Sequence, residues 1–259
     1  MDTHVSQQIV FEQPLNEKCR TLLRLSHLFE QYDYHVPQDH PWHARAALRA
    51  LLDIANLLAR ADIKSELLKE MERYNLSLSP MANSPGVDTD RLRHILQNLR
   101  ESQHAIRSVQ GQLGASLRKS EFLNSVLQRN SLPGGGFDFD LPQLHLWLNQ
   151  SHSERLLQLD DWRNEVASVH EAVDLLLNLI RHSTTATQQH AANGFFQQNL
   201  PSGAAIQMVQ VFLPEESNLF AEISGGKHRF SIRFMESLDW EHPFQTERDL
   251  SFGLNVCII

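Results

Sequence analysis

Positive charge alternates with apolar residues in the stretch KHRFSIRF, residues 227–234 of this 259-residue chain. With a period of two, Lys227, Arg229 and Arg233 fall on one face of a β-strand, and the aromatic and aliphatic residues fall on the other. Guanidinium groups offer fixed pairs of donors to carboxylates and backbone carbonyls. The pattern therefore predicts either a binding face for an acidic peptide or a solvated strand whose cations protect a sheet edge.

Residues that could carry catalysis or hold a metal ion do not fall into a recognisable arrangement. Fourteen histidines are present, but no HExxH pair occurs, and His40 and His43 merely flank Pro41. The glycines at 134–136 lack the Lys-Ser or Lys-Thr of a phosphate loop, and no GxSxG nucleophile turn is found. We therefore expect no metal, no cofactor and no enzymatic activity.

The composition limits the partners of the chain. Its formal net charge is -8, which disfavours general nucleic-acid binding because phosphate contacts need a surplus of Lys and Arg. No stretch reaches the roughly 18 apolar residues of a membrane span, and the N-terminus has no signal-peptide pattern. Cys19 and Cys257 are too few for a disulfide framework. We therefore expect a cytoplasmic protein with no membrane partner and no nucleic-acid partner.

Two weaker hypotheses are kept beside a binding protein for acidic peptides. One is a nucleic-acid-binding regulator that uses the basic strand at 227–234, and the negative net charge opposes it. The other is a small hydrolase that acts through scattered Asp, Glu and His residues.

Hydrophobic periodicity indicates helices from residue 15 to residue 182, where apolar residues recur at steps of three and four. Residues 153–182 predict one long helix with an apolar seam, for which an intramolecular bundle core is favoured over a dimer contact. In the first helix, Arg20, Arg24 and His27 form a cationic stripe. Such a stripe is typical of either a solvated helix face or one wall of a basic groove.

The C-terminal part has the period of strands. Residues 183–203 are polar and contain Gly and Pro, which predicts a loop or a domain boundary. Beyond them the period drops to two, which predicts an antiparallel sheet of about four strands. Ser224, Gly225 and Gly226 are expected to make a tight hairpin turn with positive backbone angles.

The order of these elements predicts an α+β protein. We expect a mostly α-helical bundle domain at 13–183 and an antiparallel β-sheet domain at 184–259. A short N-terminal strand at 5–12 is a candidate to join the sheet as a fifth strand, and it is expected to stop before Pro14.

Short stretches spread along nearly the whole chain carry a family resemblance. They include FEQPLNEKCRTLLRL, FDLPQLHLWL, DLLLNLIR, NGFFQ and ISGGKHRFSIRFM. Together they resemble the ZapD family of bacterial cell-division proteins, which associate with the tubulin-like polymer protein FtsZ. The chain departs from the family pattern at 34–47, before the glycines at 134–136, and at 236–248.

The resemblance implies a homodimer that binds the C-terminal tail of FtsZ and cross-links protofilaments into bundles, which stabilises the division ring at midcell. It also implies a protein without enzymatic activity. The basic residues that it assigns to the FtsZ contact, with Lys227 beside them on the basic strand, are Arg24, Arg60, Arg118, His145, Arg229 and Arg233.

Overall fold

A computed structural model describes residues 8–59, 63–130, 132–133, 136–201, 203, 205–226, 228–237 and 241–258. The chain divides into two compact units. We call Leu22–Leu176 the helical unit, and we call Met1–Thr21 together with Leu177–Ile259 the β unit.

Nine α-helices occur among the described residues. They are α1 (Glu17–His35), α2 (Pro41–Leu58), α3 (Ile63–Leu78), α4 (Thr89–Ser108), α5 (Ala115–Lys119), α6 (Glu121–Asn130), α7 (Pro142–Leu148), α8 (His152–Asn164) and α9 (Ala167–Arg181). Local signals start several of them. The Asp88 carboxylate accepts a hydrogen bond of 3.0 Å from the Arg91 N–H at the start of α4, and Ser151 forms a capping box with Glu154 before α8.

Helix α2 contributes a large part of the core of the helical unit. Nine residues of α2 are buried, among them Leu51 and Ile54. The Tyr32 hydroxyl on α1 donates a hydrogen bond of 2.7 Å to the Leu159 carbonyl on α8, which satisfies a phenol buried in this core. A buried face of α2 therefore holds the surrounding helices in place.

The prediction of one helix over residues 153–182 is wrong, because α8 ends at Asn164 and α9 begins at Ala167. No proline or glycine marks this break, so periodicity alone could not show it. Of the apolar seam, Trp162 is half-buried, and the other residues are buried inside the chain, with exposures of 0–2% at Leu159, Val166, Val169, Val173, Leu176 and Ile180. The seam is intramolecular core, as expected.

Eight strands occur among the described residues. They are β1 (Gln8–Pro14), β2 (Thr187–Ala191), β3 (Phe195–Asn199), β4 (Ile206–Pro214), β5 (Leu219–Gly225), β6 (Arg229–Glu236), β7 (Phe244–Gln245) and β8 (Leu250–Ile258). One sheet has the order β1-β4-β8-β2, and the other has the order β3-β6-β5 with β7 beside β6. All the strand pairs are antiparallel, and the α+β class is confirmed.

The two sheets pack face to face around an apolar core. Val209 and Val211 of β4 share this core with Phe230 and Phe234 of β6. The ring of Phe234 lies 4.7 Å from the ring of Phe252 on β8, centroid to centroid. The core therefore joins both sheets into one sandwich.

Several expectations for the sheet are wrong. The strands form two sheets and not the expected single sheet of about four strands. Residues 183–203, expected to be a loop, contain β2 and β3. The N-terminal strand does join a sheet by pairing with β4, but β1 runs through Pro14, which lies opposite Met208. Pro is tolerated there because β1 is an edge strand. Residues 5–7 of the expected strand lie outside the described residues.

The glycines of the β5–β6 hairpin serve a different purpose from the one expected. Neither Gly225 nor Gly226 has a positive φ. A Cβ atom at Gly225 would collide with the side chain of Leu15. Gly225 is therefore explained by the close approach of a neighbouring side chain and not by turn geometry.

A polar network ties the end of α9 to the first sheet. The Arg181 guanidinium donates two hydrogen bonds to the Glu12 carboxylate, at 2.9 and 2.8 Å. Gln210 donates to the same carboxylate at 2.8 Å, and Asn255 donates to Gln210 at 2.8 Å. The network links β1, β4 and β8 to one helix end, and its polar groups satisfy one another.

Candidate functional site

Strand β6 presents its charged and apolar residues on opposite faces. Arg229 and Arg233 are exposed, while Phe230, Ile232 and Phe234 are at most 1% exposed. Burying each of these apolar side chains contributes on the order of 2 kcal/mol, so the strand is held in a fixed register. A step of four residues along a strand places the two arginines about 13 Å apart on one face.

Mostly neutral groups surround the two arginines on the neighbouring strands. Asn199 of β3 lies opposite Arg229, whereas Arg233 lies between Phe195 of β3 and Glu222 of β5. The Arg233 Nη2 is 3.3 Å from the Glu222 Oε2, and the two side chains are 55% and 43% exposed, so this ion pair contributes little. Arg229 has no ion pair or side-chain hydrogen bond with any residue that the structure describes. Both guanidinium groups are available to a partner that carries carboxylates.

The β3 side of this surface was missed by the sequence reasoning, which took residues 183–203 for a loop. Phe195, Gln197 and Asn199 are exposed beside β6, and Phe195 is 42% exposed. We call the surface formed by Arg229, Arg233 and these three residues the basic sheet face. It combines two cations with an aromatic ring and two amides, which suits a peptide that carries both acidic and apolar side chains.

The end of β6 is anchored to the loop that follows it. Arg248 donates two hydrogen bonds to the Glu236 Oε1, at 2.6 and 3.0 Å, and the Thr246 hydroxyl donates to the same oxygen. These bonds, that of Thr246 first and those of Arg248 next, hold the pKa of the Glu236 carboxyl below its ordinary value. The loop is therefore fastened to the strand that carries the basic sheet face.

Arg24 lies in the helical unit, at a groove between α1 and α2. The groove is a cavity of about 500 Å³ lined by Arg24, His27, Leu28, Asp53, Asn56 and Leu57. Arg24 is exposed and has no ion pair with any described residue, while Asp53 is paired with Arg49 at 2.9 Å. The mixture of a free guanidinium, an imidazole and two leucines can accept an acidic side chain next to an apolar one.

Arg118 serves the packing of the helical unit. Its guanidinium donates to the Ala55 carbonyl at 3.3 Å and to the Leu113 carbonyl at 3.0 Å. A third hydrogen bond of 3.0 Å reaches the Gln112 side chain. These bonds satisfy a carbonyl in the last turn of α2, so a ligand at Arg118 would compete with internal partners.

His145 lies on α7, close to an exposed aromatic pair. Its Nδ1 is 3.0 Å from the Asp138 Oδ2, and both side chains are more than half exposed. Phe137 and Phe139 stack on each other at 5.7 Å, and Phe139 is 82% exposed. His145 is thus accessible, but it already has a carboxylate partner.

The structure brings together only part of the residue set assigned to the site by sequence. Arg229 and Arg233 share the basic sheet face of the β unit. The three other described members lie in the helical unit, where Arg118 and His145 have internal partners and Arg24 has no ion pair with a described residue. Arg60 and Lys227 lie outside the described residues.

Catalytic chemistry finds little support in the described part of the chain. It contains no group of three or more His, Cys, Asp or Glu side chains that could hold a metal ion. Burial raises the pKa of both the Cys19 thiol and the Cys257 thiol to about 12, so neither is a thiolate at neutral pH. None of the described helices combines the length and the apolar character that crossing a membrane requires.

Comparisons with known proteins point to one family. A model of the ZapD family, described as cell division protein, matches residues 23–233. The chain is 39% identical over 255 residues to a cell division protein ZapD of Methylococcus capsulatus, which covers 98% of this chain and 100% of that relative. It is 37% identical over 253 residues to the ZapD of an Enterobacter species, covering 98% and 100%. For the ZapD of Nitrosomonas eutropha the identity is 36% over 252 residues, covering 96% and 99%.

Proposed function

This chain belongs to the ZapD family of cell division proteins, and we propose that it acts in division by binding the C-terminal tail of FtsZ and cross-linking FtsZ filaments. The family is one of cell division proteins and not a known enzyme family. The proposed action takes place in the cytoplasm, at the midcell ring, and it needs no cofactor. A homodimer with one tail site per protomer would tie two filaments together and stabilise the ring.

The basic sheet face is the observation that carries this proposal. Arg229 and Arg233 stand about 13 Å apart on a strand of fixed register, beside the exposed ring of Phe195. An extended peptide that carries two carboxylates four residues apart matches this spacing, because its own rise per residue is the same. Two guanidinium forks and one aromatic contact then fix the direction of the peptide.

Bivalence explains how weak contacts give firm bundles. Exposed ion pairs contribute only about 0.2–1 kcal/mol each, so one tail site binds weakly. Once one protomer of a dimer holds a tail, its partner meets the next tail at a high effective concentration, and overall avidity exceeds either affinity. Cross-linking therefore requires a dimer but does not require a tight site.

Reversal of charge on the basic sheet face tests the proposal. The variant Arg229→Glu, Arg233→Glu is expected to abolish the pelleting of FtsZ bundles in a low-speed sedimentation assay while its circular dichroism spectrum stays unchanged. Both side chains are exposed, so the substitutions do not enter the core. The single variant Arg229→Glu leaves the Glu222 pair of Arg233 intact and is expected to reduce bundling as well.

A matched control separates the site from net charge. The variant Lys69→Glu, Arg129→Glu changes the charge by the same amount at two exposed positions of the helical unit that no proposed site includes. It is expected to bundle FtsZ as the wild type does. The proposal is wrong if the Arg229, Arg233 variant pellets FtsZ normally, or if both double variants lose bundling equally.

A further inference from the structure

One face of α4 carries a row of three arginines, one histidine and one glutamine in an otherwise acidic protein. The row consists of Arg93, Gln97, Arg100, His104 and Arg107, and all five side chains are exposed. At 100° per residue they lie within an arc of about 80°, and the row runs for about 21 Å along the helix. The two acidic residues of α4, Asp90 and Glu101, lie just outside this arc, and Glu101 accepts a hydrogen bond of 2.8 Å from Gln97. We call this surface the α4 basic face.

The basic residues of the α4 basic face have few internal partners. Arg100, His104 and Arg107 make no ion pair and no side-chain hydrogen bond with any residue in the described part of the chain. Arg93 is 2.7 Å from the Asp90 carboxylate, but the two side chains are 74% and 87% exposed, so water screens this pair. Most of the positive charge of the row is therefore not neutralised by carboxylates of the described residues.

The buried side of α4, about 120° around the helix axis from this row, holds the helix rigid. Leu92, Leu99 and Ile106 are buried, each at most 6% exposed, and α4 packs against α3 in the helical unit. Gln103 donates a hydrogen bond of 3.1 Å to the Glu72 carboxylate on α3. The Asp88 cap fixes the first turn. The guanidinium groups of Arg100 and Arg107, seven residues apart, are thus presented about 10 Å apart on a straight support.

We propose that the α4 basic face is a second docking surface, which binds a carboxylate-rich face of a folded protein. It shares no residue with the basic sheet face or with the groove at Arg24. The inference rests on the proposed function for the identity of that protein, which is the body of the bundled filament as distinct from its flexible tail. Each protomer then contacts a filament twice, through the tail and through the filament surface.

Carboxylates fit this surface better than polyphosphates or lipid headgroups do. Duplex DNA presents one negative charge per roughly 1.7 Å of its axis, whereas this row offers three arginines over about 21 Å on a chain of net charge -8. Anionic membranes are recognised by clusters of about four to eight cations, with apolar residues that enter the interface. Separate guanidinium forks match separate carboxylates on a protein surface.

Removal of the three arginine charges tests the proposal. FtsZ filaments, intact or lacking the C-terminal tail, are titrated with wild-type protein and with the variant Arg93→Gln, Arg100→Gln, Arg107→Gln in a co-sedimentation assay at low salt. Wild-type protein is expected to bind tailless filaments weakly, and the variant is expected to lose this binding. On intact filaments the variant should bind about 3-fold to 150-fold more weakly, which is the range for three exposed ion pairs.

The control variant Lys69→Gln, Arg91→Gln, Arg129→Gln removes the same charge elsewhere. Arg91 is exposed on α4, about 160° around the helix axis from the row. Its replacement therefore removes a charge from the same helix but from a different face, and Lys69 and Arg129 are exposed on α3 and α6. It is expected to bind both kinds of filament as the wild type does. Equal loss in both triple variants would overturn the proposal, because net charge would then explain the effect.

The remaining outcomes distinguish this inference from the proposed function. If the α4 variant binds both filaments normally while Arg229→Glu, Arg233→Glu fails, the second surface does not exist and the tail site stands. If wild-type protein binds no filament at all, both proposals fall. If the α4 substitutions weaken binding to a duplex DNA probe or to phosphatidylglycerol vesicles and leave filament binding unchanged, the partner is a polyanion and the proposal is overturned.

Discussion

The surroundings of each guanidinium group decide what an arginine does in this protein. Arg155 is 4% exposed and donates a hydrogen bond of 3.1 Å to the Leu148 carbonyl, and Arg118 donates to three internal acceptors. Arg229 has no such partner among the described residues and faces solvent. The sequence shows three arginines of equal chemistry. Only the arrangement of carbonyls around them separates the structural ones from those that can bind a ligand.

A pair of histidines links the ends of α1 and α2 and gives a prediction for pH. The Nδ1 atoms of His35 and His43 lie 2.8 Å apart, so one ring donates and the other must accept. Partial burial, followed by the effect of His43, lowers the pKa of His35 from its ordinary value of 6.5. The folded protein therefore binds fewer protons at His35 than the unfolded chain does. Stability from this pair is present above pH 6.5 and is lost as the pH falls through the pKa of the folded state.

Nuclear magnetic resonance titration of the His35 ring checks this prediction. The wild-type ring is expected to titrate below pH 6.5, and His43→Gln is expected to move its pKa upward, because a neutral amide replaces the second imidazole. His104→Gln, at an exposed position of α4, should leave the titration of His35 unchanged. A His35 pKa at or above 6.5 in the wild type, or the same value in His43→Gln, contradicts the account.

At the scale of elements, β6 could be predicted from its sequence, whereas the strands β2 and β3 were missed. The alternation in β6 is strict, so its buried and exposed faces follow directly. The strands β2 and β3 are rich in glutamine and carry few apolar residues, which resembles a loop. The sequence did contain a turn signal, the pair Asn193-Gly194. In the structure these residues have φ values of 48° and 66° and form the turn between the two strands. An Asn-Gly pair between two strands usually signals a hairpin, but here the turn leads from one sheet into the other, and β2 and β3 meet only at a single bridge between Ala192 and Phe195.

The turn at Gly194 gives a prediction for stability. Its φ of 66° is unfavourable for other residues, and a Cβ atom there would collide with the Thr246 backbone carbonyl. Gly194→Ala is therefore expected to lower the free energy of unfolding by about 1–3 kcal/mol, as measured by urea denaturation.

The control for this prediction is Gly226→Ala. Gly226 does not have a positive φ, and a Cβ atom there would meet nothing within 4 Å. This variant should stay within about 0.5 kcal/mol of the wild type. A Gly194→Ala protein as stable as Gly226→Ala would show that the β2–β3 turn does not constrain the fold.

At the scale of the whole molecule, the sequence indicates the class and the order of elements but not how the strands pair. Apolar residues recur every 3.6 residues on the buried face of a helix and every 2 residues on the buried face of a strand, so the spacing alone distinguishes the two. The division of the strands between two sheets depends on contacts between distant residues, such as those of Phe234 with Phe252. For the same reason Arg229 and Arg233 could be placed on one face from sequence, whereas their neighbours on β3 could not.

The distribution of charge gives the molecule its mode of binding. A net charge of -8 disfavours the binding of polyanions in general, while the two proposed surfaces gather cations on an acidic chain. Contacts of this kind are specific by position and weaken as salt rises. In the proposed homodimer, two protomers would combine such contacts into a salt-sensitive cross-link.

Sedimentation of intact and tail-deleted FtsZ filaments with the wild-type protein tests the central claim most directly. The account predicts that intact filaments are bundled at low salt, that bundling declines as the ionic strength rises, and that tail-deleted filaments are not bundled and retain only weak binding. If tail-deleted filaments are bundled as fully as intact ones at the same protein concentration, the FtsZ tail is not what this protein binds.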